Sequence, residues 1–138
     1  MEDFDFDAEI PILVIDEHEI CDQHVMGYHD YIRQWQPQIG KRYATKMEPE
    51  NTKDRFAVAV LNRRGRVSGH LMKGKTGRFA KTVFYFLRAD SNNKCYVEIL
   101  AAPVNQGDGM GMKVPCSLHF VGRCDFITLL KSELIEHM

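Results

Sequence analysis

The sequence predicts a mainly-β domain, a small OB-like or SH3-like barrel of five to seven strands with one inserted helix and one C-terminal helix. Two observations predict it. Short alternating or wholly apolar runs recur along the chain, separated by clusters of Gly, Pro, Asn and Asp, which is how strands and turns read. Only two segments carry apolar residues at helical spacing instead. At 138 residues the chain is one domain by size and can bury a core without disulfide or metal staples.

The elements follow in order. Ile10 to Ile15 is a short apolar run whose Pro11 argues for an edge strand. Val25 to Trp35 alternates loosely and reads as a strand, with a short helix as the alternative. Gln36 to Gly40 is a turn, and Arg42 to Met47 a strand that enters a polar loop, Glu48 to Asp54. Phe56 to Leu61 has the strongest strand pattern. Asn62-Arg63-Arg64-Gly65 turns it into Arg66 to Leu71, a hairpin. Lys73 to Leu87 reads as a helix, with Phe79, Val83, Phe86 and Leu87 on one stripe. Ser91-Asn92-Asn93 is a turn, Cys95 to Val104 a strand, Asn105 to Gly111 a Gly-rich loop, and Val114 to Gly122 the last strand. Asp125 can cap a final helix, Phe126 to His137, with Phe126, Leu129, Leu130 and Leu134 on its apolar face. The expected division is an acidic arm over 1–24, the barrel over 25–123 and a packed amphipathic helix over 124–138.

Charge is unevenly placed. Residues 1–24 hold nine acidic side chains and no Lys or Arg, whereas residues 37–90 hold thirteen basic and four acidic ones, a balance of +9. Such a charge run is either a solvated basic face with an acidic arm or a nucleic-acid surface over which the acidic segment can fold. Cys21, Cys95, Cys116 and Cys124 are scattered without a CxxC pair and read as reduced thiols of an intracellular protein. No apolar run is long enough for a membrane-spanning helix. No metal or cofactor is implied. Cys21-x-x-His24 lacks the second ligand pair that a structural zinc site needs. The Asn105–Gly111 loop lacks the spacing of a phosphate-binding loop. Cys116 and His119 stand three apart on a strand and point to opposite faces, so they are a poor catalytic pair. The chain does not read as an enzyme.

The candidate binding residues centre on the polar loop. Asn51 and Asp54 are short polar groups at a loop-to-strand junction, where they either contact a ligand or brace the loop. Lys53, Arg55, Lys73 and Lys75 supply charge for phosphates. His70 sits at a strand end, as a contact or as a satisfied histidine. The single tryptophan, Trp35, is expected to be packed rather than a stacking platform.

Several of these pieces, in this order, resemble a HIRAN domain, the module at the N-terminus of the helicase-like transcription factor and related SWI/SNF-type DNA-repair ATPases. The resemblance rests on Glu48-Pro49-Glu50-Asn51-Thr52-Lys53-Asp54, the strand Ala57 to Val60, Gly69-His70-Leu71, the helix after it, and Val114-Pro115-Cys116 with Phe120-Val121-Gly122. It covers about residues 25 to 122. It implies a modified OB-like barrel that binds single-stranded DNA and captures a free 3′ end, in a nuclear repair or replication-fork setting. It further implies that Asn51 contacts the backbone near the end, Asp54 reads the 3′-hydroxyl, and His70, Lys73 and Lys75 assist, with Tyr28 or Tyr31 stacking on a base. Two positions depart from the family's DNA-end binder: Lys53 and Met112 stand where it has aromatic groups. The other reading is a protein-interaction module that uses the acidic arm or the last helix.

Overall fold

The computed structural model describes residues 14–28, 31, 35–105, 107 and 111–137. Among these residues seven strands and two helices follow one another: β1 (Ile15–Met26), β2 (Arg42–Met47), β3 (Val58–Leu61), β4 (Val67–Leu71), α1 (Phe79–Ala89), β5 (Lys94–Ile99), β6 (Val104–Asn105), β7 (Met112–Arg123) and α2 (Cys124–His137). The strand order is β1-β4-β3-β2-β5-β7-β6, and β1 also pairs with β7. Six strands therefore close into an antiparallel barrel, and β6 is a short addition on β7. The predicted mainly-β barrel with two helices is what forms.

Closure depends on β1. It runs beside β7 from Ile15↔Arg123 to Val25↔Val114, while Val25 and Met26 pair on the other side with Leu71 and His70 of β4. The register slips between Ile20 and Gln23, and Asp22 there has φ +59°, a left-handed position unusual for a non-glycine. A bulge of this kind bends a strand and increases its twist. That lets one strand serve two neighbours.

The interior is filled from the six barrel strands and both helices. Val25, Val58, Val60, Val97, Val114 and Phe120 are wholly buried, and Phe79, Val83 and Ile127 close the helical side. In β7, Cys116, Leu118 and Phe120 point inward while His119 lies on the outer side, as strand alternation requires. Asn93, buried, donates to the Phe86 carbonyl (2.9 Å) and accepts from the Arg123 N–H (3.2 Å), tying the end of α1 to β7.

Several expectations are corrected. The arm expected over 1–24 is not separate in its described part, because residues 15–24 belong to β1 and pair with β7. Residues 1–13 lie outside the described residues, and with them most of the Ile10–Ile15 run. The strand expected over 25–35 ends at Met26, and the Tyr31 N–H then bonds the Tyr28 carbonyl in a turn. Residues 29, 30 and 32–34 lie outside the described residues. The helix expected from Lys73 starts at Phe79, because Gly74 and Gly77 have φ of +79° and +76°, which no right-handed helix contains. The strand expected over 95–104 divides into β5 and β6. Helix α2 begins at Cys124 and buries Ile127, Leu130 and Leu134, so Asp125 lies in its first turn and Leu129 is exposed.

Candidate nucleic-acid interface

The polar loop between β2 and β3 is a built structure. The Glu48 N–H donates to the Ala57 carbonyl (3.0 Å), the Asn51 N–H to the Glu48 carbonyl (3.0 Å), and the Ala57 N–H to the Asp54 carbonyl (3.1 Å). Asn51 Oδ1 accepts from two backbone groups, Lys53 N–H (2.9 Å) and Asp54 N–H (3.1 Å). This is the Asn side chain standing in for a backbone turn. Its Nδ2 donates to Glu48 Oε1 (3.2 Å), and the same oxygen lies 2.6 Å from His70 Nε2. Glu48 thus ties the loop to β4.

His70 is placed by its neighbour. Gly69 is buried where β4 meets β1, and a Cβ there would lie 2.5 Å from Val25 Cγ1 and 2.9 Å from the Met26 carbonyl oxygen. Only glycine allows that approach. The approach sets His70 opposite Met26 on one side and Ala59 on the other. The Tyr31 ring lies 6.3 Å from the His70 ring, tilted at 52°.

Asp54 is oriented from one side and open on the other. Oδ1 accepts from the Phe56 N–H (2.9 Å), and Oδ2 lies 3.8 Å from Lys73 Nζ. The Asp54 side chain is a quarter exposed and that of Lys73 two-thirds exposed. Lys73 and Lys75 sit in the glycine-shaped segment before α1, and the Lys73 carbonyl accepts from the Phe79 N–H (2.7 Å). They are therefore loop cations rather than members of a first helical turn. Lys53 and Arg55 are exposed on the same loop. The rim so formed has a fixed carboxylate acceptor, several exposed cations and an adjacent ring, a set suited to an anionic chain.

The structure thus gathers Tyr31, Asn51, Asp54, His70 and Lys73 through direct contacts, with Lys53, Arg55 and Lys75 beside them in sequence. Two predicted residues lie elsewhere. Tyr28 is buried, edge-on to Trp35 at 6.2 Å, and Trp35 meets Tyr43 at 5.2 Å, so Tyr28 is core and not a stacking face. Met112 packs against the core and pairs with Asn105. Glu48 went unnoticed in the sequence, although its position three residues before Asn51 is a signal for a side-chain bond across the turn. Phe56 has no such signal, because Lys81, Phe84 and Tyr85, which pack around it, are remote in the chain.

Among the described residues no three His, Cys, Asp or Glu side chains converge as a metal site, and no helix is long and apolar enough to cross a membrane. His119 is held by Glu98 Oε1 (3.0 Å), with Ser117 Oγ 3.1 Å from Nε2 and Arg42 3.4 Å from Nδ1. Cys116 is buried, and its thiol is pushed up to about 12 by that burial.

No family model and no curated protein matches the sequence. Solved structures do. The crystal structure of the HIRAN domain of human HLTF superposes with a TM-score of 0.63, covering 88% of each chain at 20% identity. The fold is that of a HIRAN domain. An NMR structure of the HLTF HIRAN domain agrees, with a TM-score of 0.60 over 91% of each chain at 21% identity. A protein from Lactobacillus plantarum is more distant, at 0.51 and 12% identity, covering 80% of this chain and 100% of its own. In this HIRAN-like barrel the 48–54 loop and the segment that carries Lys73 meet at one rim.

Proposed function

We propose that this HIRAN-like barrel is a binding module for single-stranded DNA, and that it takes a free 3′ end against Asp54. The observation that carries the proposal is the state of that carboxylate: one oxygen is fixed by the Phe56 N–H, and the other remains near the surface beside Lys73. A carboxylate held this way accepts a hydrogen bond from a terminal hydroxyl. Lys53, Arg55, Lys73 and Lys75 then neutralise the phosphates behind the end, and Tyr31 and His70 offer rings beside the loop. Asn51 and Glu48 hold the loop in shape. The module binds and does no chemistry in this reading, and its setting is a nuclear one of DNA repair or the replication fork.

Fluorescence anisotropy with strands ending in a 3′-hydroxyl or a 3′-phosphate tests it. A hydrogen bond to a charged group is worth about 1.5–3 kcal/mol, so the free end should bind roughly ten- to a hundredfold more tightly. Asp54→Ala should erase the difference. Asp54→Asn, which keeps an acceptor for the Phe56 N–H, should narrow it with the fold intact. With about three to five phosphates engaged, the log–log salt slope should be roughly −2 to −4. Equal binding of both ends by the unmodified protein refutes end reading. Absence of binding at low salt leaves the protein-interaction reading, for which α2 exposes Leu129 and Ile135.

A further inference from the structure

Helix α1 presents a second surface that the end-binding loop does not use. Its buried stripe, Phe79, Val83 and Phe86, faces the barrel. Lys81, Tyr85 and Arg88, at i, i+4 and i+7, therefore share an outer stripe. Tyr85 is 39% exposed. Its ring centroid lies 5.5 Å from that of Phe56, and the Arg88 guanidinium carbon stands 4.7 Å from it. Lys81 Nζ lies 4.5 Å from the Phe56 centroid and the Arg55 guanidinium carbon 5.2 Å from it.

The cations of this cluster differ from those held by carboxylates. Arg42, Lys73 and Arg123 pair with carboxylates. Arg55, Lys81 and Arg88 make no ion pair with a carboxylate among the described residues. From Lys73 to Ala89 the sequence has five basic residues and no acidic one. The three cations rest on rings instead, which positions them without neutralising them. An arriving anion has no ion pair to displace.

We infer that this face is a second contact for single-stranded nucleic acid, continuing from the loop. The inference rests on the loop reading for its starting point. Continuity is covalent and direct, since Arg55 and Phe56 follow Asp54, and the Asp54 carboxylate holds the Phe56 N–H. The chemistry selects the ligand. An acidic peptide or a free phosphate needs only the cations. A half-exposed aromatic between cations, one of them carried on its ring, suits a chain that alternates phosphates with flat apolar rings. A duplex hides those rings in its stack and cannot use Tyr85.

Anisotropy with thymidine strands of about three and about twelve nucleotides, each with a free 3′ end, tests the inference separately from the loop. Tyr85→Ala should weaken the longer strand by about five- to fiftyfold and leave the short strand within about twofold. Lys81→Gln combined with Arg88→Gln, two surface changes, should flatten the salt slope for the longer strand by about 1.4, or about 0.7 per cation, and leave the short-strand slope alone. Asp54→Ala should weaken both strands. If neither α1 variant changes binding of the longer strand, or if they weaken both strands equally, the second contact is refuted while the loop reading stands. If the longer strand alone binds, and depends on Tyr85, the loop reading fails and the α1 face stands. If neither strand binds, both fall.

Discussion

Asn51→Ala distinguishes a loop brace from a ligand contact. The substitution removes the acceptor of the Lys53 and Asp54 N–H groups and the donor to Glu48. A protein hydrogen bond contributes about 0.5–1.5 kcal/mol net. Lys53 is exposed, so water replaces most of its bond. Asp54 is half-buried, and Glu48 keeps His70 as a partner. The sum is about 1–3 kcal/mol, a fall in Tm of about 3–12 °C for a chain of this size. Urea unfolding followed by fluorescence of the buried Trp35 measures it, with the slope m expected to be unchanged. Asn51→Asp keeps the acceptor but sets a second carboxylate beside Glu48, and should recover part of the loss. A variant with the unmodified protein's midpoint but no affinity for strands would refute the bracing role, because Asn51 would then act on the ligand alone.

Gly74 holds φ +79°, and a Cβ there would run into the His137 carbonyl and Phe79. Gly74→Ala should therefore cost about 2 kcal/mol or more and weaken strand binding by moving Lys73. An unchanged urea midpoint would show that the segment is not held in this shape. Thiol labelling should split the cysteines at mildly alkaline pH. Cys95 and Cys116 are buried, burial pushes both thiols far up, and both should stay unmodified in the folded protein. Cys21 and Cys124 are exposed and should label. Cys21 should label slowly, since desolvation and then Glu19 raise its thiol. Mass spectrometry should find two modified thiols in the folded chain and four in urea; a third in the folded chain would contradict the packing of β5 against β7.

The sequence by itself determined the class of fold and most of its elements. β2 reads off the chain with its observed limits, β3 and β4 read as one hairpin, and the amphipathic stripe of α1 follows from Phe79, Val83 and Phe86. These features are local: side-chain alternation, turn residues and helical spacing act within a few residues. Asn51 and Asp54 were legible for the same reason, since an Asx turn closes within the loop.

What tertiary structure alone decided is non-local. Most of β1 carries polar or acidic side chains, and its pattern gives no strand signal. It is a strand because its backbone bonds to β7 nearly a hundred residues away, and backbone pairing is indifferent to the side chain it carries. The bulge at Asp22 breaks what alternation there is. Tyr28, one of two tyrosines that the resemblance offers for stacking on a base, is core: it packs edge-on to Trp35, which in turn meets Tyr43. The Glu48–His70 tie and the Phe56–Lys81 and Phe56–Tyr85 contacts join positions 22 or more residues apart. Such charges and rings become a surface only when the barrel closes and α1 docks on it, because burial of the apolar stripe fixes which side chains are left to face water.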